Sequence, residues 1–96
     1  MQYERVTVAP EIPKKGQDVL VDYRGLLAQS GADQVWLHYG FDSWRNPVTV
    51  NMSKVGDHDF CCTLKAEGTK ELNFCFKDNA EHWDNNGGQN WNIKIR

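Results

Sequence analysis

Several features that mark membrane and nucleic-acid-binding proteins are missing from this 96-residue sequence. It has no apolar run of transmembrane length, and its start shows no signal-peptide pattern. The basic residues are scattered, with only Lys14 and Lys15 adjacent, and the formal net charge is −2. Because nucleic acids and anionic membranes are bound by clustered Lys and Arg, we expect neither as a partner. A start at Met1 without a targeting segment fits either a module of a larger protein or a cytosolic protein.

Patterns typical of metal sites and catalytic centres are missing as well. There is no Cys-x-x-Cys pair, and the histidines are not at zinc spacing. Residues 84–87 lack the alternating acidic ligands and the final Glu of a calcium loop. There is no nucleophile elbow, and so short a chain has little material for a deep cleft flanked by two carboxylates. We therefore predict no catalytic residues, no bound metal and no cofactor.

Cysteine is sparse and occurs only as Cys61, Cys62 and Cys75. Unpaired cysteine behaves as a small hydrophobic residue, so we expect reduced thiols in or near a core. One disulfide stays open as an alternative, if the strands that contain Cys61 and Cys75 are neighbours.

Short β-prone segments separated by turn residues run along the whole chain. They cover residues 3–9, 18–23, 35–39, 48–52, 59–64, 72–77 and 90–95. The first is expected to be an edge strand ended by Pro10, and residues 26–33 a loop with at most one helical turn. No helix is long enough for a parallel crossover. The pattern predicts a single domain, residues 1–96, folded as an all-β antiparallel sandwich of about seven strands.

Alternation within these strands assigns side chains to the two faces of each sheet. Trp36 and His38 are expected to face away from the core. Trp91 is predicted to be a core anchor, because the residues two and four positions after it are apolar. The residues expected to face the core are Val35, Leu37 and Tyr39; Phe60, Cys62 and Leu64; Leu72, Phe74 and Phe76; and Trp91, Ile93 and Ile95.

The remaining tryptophans lie in polar surroundings. Trp83 belongs to the long loop 79–91, N-A-E-H-W-D-N-N-G-G-Q-N-W, and Trp44 to the turn segment G-F-D-S-W-R-N-P. Tryptophan offers a flat apolar face, and Asn, Asp and Gln offer paired donors and acceptors. A sugar ring needs both, so Trp44, Trp83, His38 and Trp36 are candidate ligand contacts. In an up-and-down count the two loops lie at opposite ends, so either a segment doubles back across a sheet or the strand count is off by one.

Three segments resemble family 25 carbohydrate-binding modules and the related modules of plant starch synthases. They are V-W-L-H-Y-G-F-D-S-W (35–44), L-N-F-C-F-K-D-N-A-E-H-W-D-N-N-G-G-Q-N-W (72–91) and the P-x-x-G-x-x-V-x-V-x-Y pattern of residues 13–23. The resemblance implies an immunoglobulin-like β-sandwich without catalytic activity. It also implies binding of α-1,4-linked glucans such as starch, glycogen and maltooligosaccharides, by a module attached to a starch-acting enzyme.

Site residues carry over from that resemblance position by position. The aromatic platform falls on His38, Trp44 and Trp83, and Trp36 stands where the family commonly has tyrosine. The amide contacts fall on Asn85, Asn86 and Gln89. The expected partners are an α-glucan and the parent enzyme or other modules of the same chain. The location would be extracellular in a secreted amylase and otherwise cytoplasmic. The alternative is an immunoglobulin-like structural or adhesion domain whose loop tryptophans form a protein contact.

Overall fold

Strands account for most of the chain in a computed structural model that describes residues 2–3 and 5–96. One four-residue helix, α1 (Leu26–Gln29), lies among them. The strands in this part of the chain are β1 (Gln2–Tyr3), β2 (Val6–Ala9), β3 (Asp18–Tyr23), β4 (Val35–Phe41), β5 (Arg45–Asn51), β6 (Ser53–Gly56), β7 (Asp59–Lys65), β8 (Glu71–Asp78), β9 (Trp83–Asp84) and β10 (Trp91–Lys94). Within the described ranges no helix is long and apolar enough to cross a membrane.

The strands form two antiparallel sheets. The first has the order β1-β2-β3-β7-β6, and the second has the order β10-β8-β4-β5, with β9 also pairing with β8. β9 and β10 pair with different halves of β8, since Trp83 and Asp84 lie opposite Lys77 and Phe76, whereas β10 lies opposite residues 71–74. The predicted antiparallel β-sandwich is therefore confirmed.

The core lies between the sheets and is built from the alternating residues that the sequence indicated. Leu72, Phe74 and Phe76 are fully buried, and Trp91 stacks on Phe74 with ring centroids 5.9 Å apart. Tyr23 of the opposite sheet stacks on Phe76 at 3.9 Å. Such contacts bury large apolar areas and hold the two layers in register. The inward faces predicted for β4, β7, β8 and β10 are thus confirmed, with Tyr39 and Cys62 only partly buried.

The strands differ from the prediction in several places. The segment predicted as one edge strand over 3–9 is split into β1 and β2, with Glu4 outside the described residues, and β2 lies between β1 and β3 rather than at an edge. The turn predicted over 40–47 is shorter, because β4 reaches Phe41 and β5 starts at Arg45. Pro47 is accommodated there because β5 is an edge strand of its sheet.

Two strands were not predicted from the sequence: β9, which lies within the predicted loop 79–91, and β6. The chain passes from the second sheet to the first at Met52, whose side chain is buried, and continues as β6. Its four residues, Ser53–Gly56, are all exposed, so they carry no alternating apolar signal. The cysteines of β7 and Cys75 of β8 lie in different sheets, and all three are free thiols in the structure.

The burial of the tryptophans predicts different effects on stability. Trp91 is 6% exposed and Trp83 is 47% exposed. We expect Trp91→Ala to lower the free energy of unfolding by about 3–5 kcal/mol, because it leaves a cavity against two phenylalanines. Trp83→Ala should lower the free energy of unfolding much less, because the Trp83 side chain is half-exposed. Urea denaturation of both variants measures the difference, and equal losses would contradict this description of the core.

Candidate functional site

The outer face of β4 presents two aromatic side chains side by side. Trp36 and His38 point away from the core and are half-buried. Val35 and Leu37, which alternate with them along the strand, are fully buried. His38 Nδ1 lies 2.7 Å from Thr49 Oγ1 of the neighbouring strand β5. The predicted outward face of this strand is therefore confirmed, and one hydrogen bond fixes the orientation of the imidazole ring.

Trp44 returns to this face from the turn between β4 and β5. Its ring lies 5.5 Å from that of His38, and the two planes differ by 24°. The turn residues Asp42, Ser43 and Trp44 all have positive φ values of 51°, 70° and 63°. Such a conformation is costly for residues other than glycine, so contacts outside the turn must hold it.

Two polar side chains provide those contacts. The buried amide of Asn73 on β8 accepts a 2.9 Å hydrogen bond from the Trp44 backbone N–H through Oδ1. The carboxylate of Asp42 accepts hydrogen bonds from the N–H groups of Thr69, Lys70 and Glu71. These hydrogen bonds hold the pKa of Asp42 well below its usual range, and the one from the Thr69 N–H has the largest effect. The turn is thus fastened to the start of β8 at both ends.

Trp83 reaches the same face because the chain doubles back. β9 pairs with β8 so that Trp83 lies opposite Lys77, and Lys77 in turn lies opposite Trp36. The Lys77 Nζ is 5.8 Å from the centre of the Trp36 ring and 5.6 Å from that of Trp83, within the range of a cation–π contact. The Trp83 ring meets His38 edge to face at 5.6 Å and 81°. Of the two alternatives that the sequence left open, the doubling back brings Trp83 to this face, and the strand count was wrong as well, since β6 and β9 were not predicted.

The backbone of β9 is fixed from the core side. The Tyr23 hydroxyl donates a 2.6 Å hydrogen bond to Asp84 Oδ2 and accepts one of 3.0 Å from the Leu27 N–H. Burial, and then the hydrogen bond to Asp84, raises the pKa of Tyr23. Since neighbouring residues of a strand face opposite sides, anchoring Asp84 inward directs Trp83 outward.

The turn before β9 is held by one carboxylate. Asp78 Oδ1 accepts hydrogen bonds of 2.9 Å from the N–H groups of Ala80 and His82, and its Oδ2 lies 3.0 Å from His82 Nδ1. Burial opposes ionisation of Asp78, but the hydrogen bonds from His82 and Ala80 outweigh it and lower the pKa of that carboxyl. Hydrogen bonds to Asp78 therefore order this end of the loop, in addition to packing.

The structure brings together four of the predicted site residues: Trp36, His38, Trp44 and Trp83. We call them the aromatic cluster. Cys75, the β8 partner of His38, lies beneath the cluster and is 5% exposed. Burial, and to a smaller extent the charge of Asp84, raises the pKa of the Cys75 thiol to about 11.

The three predicted amide residues lie in the following turn. Asn85 Oδ1 accepts a hydrogen bond from the Gly88 N–H, and Asn86 Nδ2 donates one to the Asn90 carbonyl. Asn86 also lines a cavity of about 390 Å³ beside Trp91. All three amides, Gln89 included, are exposed, but these contacts stabilise the turn and do not join it to the cluster.

Sequence reasoning missed the residues that support the cluster. Asn73 lies within an apolar run of the sequence. A polar residue at an outward position of a buried strand is expected to form hydrogen bonds, and this was the signal for its role. Lys77 had a similar signal, since it alternates with Phe76 and Asp78. Asp42 lies in the predicted turn segment and Tyr23 in the predicted strand 18–23, and neither position carries a sequence signal of its supporting role. Among the described residues, no three His, Cys, Asp or Glu side chains come together as a metal ion requires.

The fold is a small β-sandwich that carries a half-exposed aromatic cluster on the outer face of one sheet. The chain belongs to starch/carbohydrate-binding module family 53, which matches residues 19–74, more than half of its length. It is 36% identical over 95 residues to an alpha-amylase of Clostridium acetobutylicum. The aligned region is 96% of this chain and 12% of that relative. No solved structure matches the chain significantly.

The family finding confirms the general prediction of a starch-binding module and corrects its number. The sequence resemblance pointed to family 25, and the family that matches is 53. The most specific motif behind that assignment, residues 83–91, lies beyond the matched range of 19–74. Stacking aromatics followed by an amide-rich turn serve sugar binding in general, so this chemistry did not separate the two families.

The lowered pKa of Asp42 predicts a pH dependence of stability. A carboxyl group whose pKa is depressed in the folded state stabilises the fold fully above its ordinary value of 3.8, and this contribution is lost as the pH falls below that value. We expect Asp42→Asn to be less stable than the wild type at neutral pH, and the difference to shrink as the pH is lowered from about 4 to about 2. Urea denaturation at each pH measures it, with the exposed Asp33→Asn as the control. A difference that stays constant with pH would contradict this role of Asp42.

Proposed function

We propose that this module binds α-1,4-linked glucans through the aromatic cluster and holds an attached enzyme on its substrate. The observation that carries the proposal is the position of His38, whose ring contacts both Trp44 and Trp83. Trp44, from the turn after β4, and Trp83, from β9 at the opposite end of β8, thereby form one surface. A single surface of this kind can contact successive sugar rings of one chain.

The angle between the rings favours a coiled glucan over a flat one. Trp44 is nearly parallel to His38, and Trp83 is nearly perpendicular to it. The two indole planes are therefore set at a steep angle to each other. An α-1,4-linked glucan curves along its length and can follow such an angled pair, whereas a flat β-1,4-linked chain suits rings that lie in one plane.

Polar groups at the edge of the cluster supply hydrogen bonds for sugar hydroxyls. The Lys77 ammonium lies between Trp36 and Trp83, and the imidazole of His38 is held by Thr49. Asn85, Asn86 and Gln89 follow Trp83 in the chain and are exposed, and we assign them a supporting role at the rim. Buried or partly buried donors and acceptors of this kind set specificity more than affinity.

The expected affinity follows from the size of the cluster. Each stacked aromatic–sugar contact contributes on the order of 1–3 kcal/mol. Two or three such contacts, less the cost of ordering the oligosaccharide, correspond to dissociation constants from micromolar to millimolar. Binding of this strength is useful when the module is tethered, because the tether raises the effective concentration of an enzyme on a polymer. The similarity to one part of an alpha-amylase supports a starch-acting enzyme as the attached partner.

Calorimetric titration with maltoheptaose tests the proposal, with cellohexaose as the negative control. We expect Trp44→Ala and Trp83→Ala each to weaken binding of maltoheptaose by at least about tenfold, since each removes a stacking contact. The matched control is Leu20→Ala, which changes an exposed apolar residue on the first sheet. Absence of binding by the wild type would overturn the proposal and favour a protein contact for the exposed tryptophans instead.

A further inference from the structure

A cavity of about 560 Å³ lies directly beyond Trp83, at the end of the aromatic cluster. One wall is apolar and consists of Trp83 together with Leu26 and Leu27 of α1. Leu26 is 61% exposed, so its side chain is open to a ligand in the cavity. Trp83 is shared between the cavity and the cluster, so the two are continuous.

The rim of the cavity is polar. It carries the hydroxyl of Ser30, the carboxylates of Asp78 and Glu81, and the imidazole of His82. Asp78 and His82 are already paired at 3.0 Å, which fixes both side chains in place. An apolar wall with a fixed rim of donors and acceptors offers a sugar the same two kinds of contact as the cluster itself.

The strand register places the supports of the cluster at every second residue of β8, and the cavity lies beyond the end of that strand. Along β8, Asn73 holds Trp44, Cys75 lies opposite His38, and Lys77 lies opposite Trp36 and Trp83. Each step of two residues advances about 6.6–6.8 Å along the strand. Asp78 follows Lys77, ends the strand and lines the cavity, with its side chain on the opposite side of the sheet from that of Lys77. The cavity therefore lies beyond the end of β8, and it meets the cluster at Trp83, which lines both.

We infer that the cavity between α1 and the turn before β9 is an additional subsite for the same α-glucan chain, which it receives as the chain leaves the cluster over Trp83. The inference rests on the proposed function, and it adds the direction in which the glucan chain runs and the length of chain that the module contacts. Short oligosaccharides occupy the cluster alone, whereas longer ones also fill the cavity. The module should therefore bind maltoheptaose more tightly than maltotriose by more than the statistical advantage of a longer chain.

Leu26 provides the most direct test, because its exposed side chain can be changed with little effect on folding. Leu26→Glu replaces part of the apolar wall with a charge, and an acidic residue is well tolerated in the first turn of a helix. We expect this variant to weaken binding of maltoheptaose roughly fivefold to tenfold, and binding of maltotriose much less. Leu26→Phe keeps an apolar wall and should bind maltoheptaose at least as tightly as the wild type.

The matched control is Val55→Glu, which adds the same charge at a position that is 58% exposed on β6 of the other sheet. Isothermal titration calorimetry with both sugars measures all variants, and thermal unfolding checks that each is folded. Unchanged affinity of Leu26→Glu for maltoheptaose would overturn the inference, and so would an equal loss for the two sugars. Failure of the proposed function is distinguishable, since the wild type would then bind neither sugar.

Discussion

The pairing of β8 with β4 on one side and with β9 on the other determines where the side chains of the aromatic cluster lie. It sets Trp36, Lys77 and Trp83 in one row across the sheet, and it places His38 one step further along. The same strand carries Phe74 and Phe76 into the core. Because side chains alternate between the faces of a strand, the burial of these phenylalanines also fixes which residues remain outside. Stability and the surface proposed for binding therefore depend on a single register.

Half-exposed aromatic rings stay on a surface only if other contacts keep them out of the core and in a fixed orientation. Here the support comes from polar side chains that sit at or below the surface. Asn73 is 1% exposed, and its Nδ2 also donates to Glu71 and, at 2.7 Å, to Asn92 Oδ1. Asp42 and Tyr23 do the same for the turn and for β9. Polar networks of this kind orient side chains before a ligand is present, so less conformational freedom is lost when a ligand binds.

Much of the fold was predictable from sequence, because the alternation of apolar residues indicates which side chains of a strand are buried. The strand 18–23 was predicted with its observed bounds, and the core positions of Leu72, Phe74, Phe76 and Trp91 followed from spacing alone. β6 and β9 were not predictable in this way, since β6 is wholly exposed and β9 has two residues. The cluster was predictable in its members but not in its geometry. Trp44 and Trp83 meet at His38 only because three residues of one turn adopt positive φ and because the chain doubles back at residues 78–83, and neither feature leaves a periodic signal.

The central claim is that Trp36, Trp44 and Trp83 belong to one surface that a single glucan chain contacts, while Trp91 belongs to the core. The indole N–H signals of the four tryptophans test it most directly, in a nuclear magnetic resonance titration of the labelled module with maltoheptaose. The account predicts that the signals of Trp44 and Trp83 shift together with one dissociation constant, that Trp36 follows with a smaller shift, and that Trp91 stays in place. Shifts of Trp44 and Trp83 with different dissociation constants, or a shift of Trp91 alone, would contradict it.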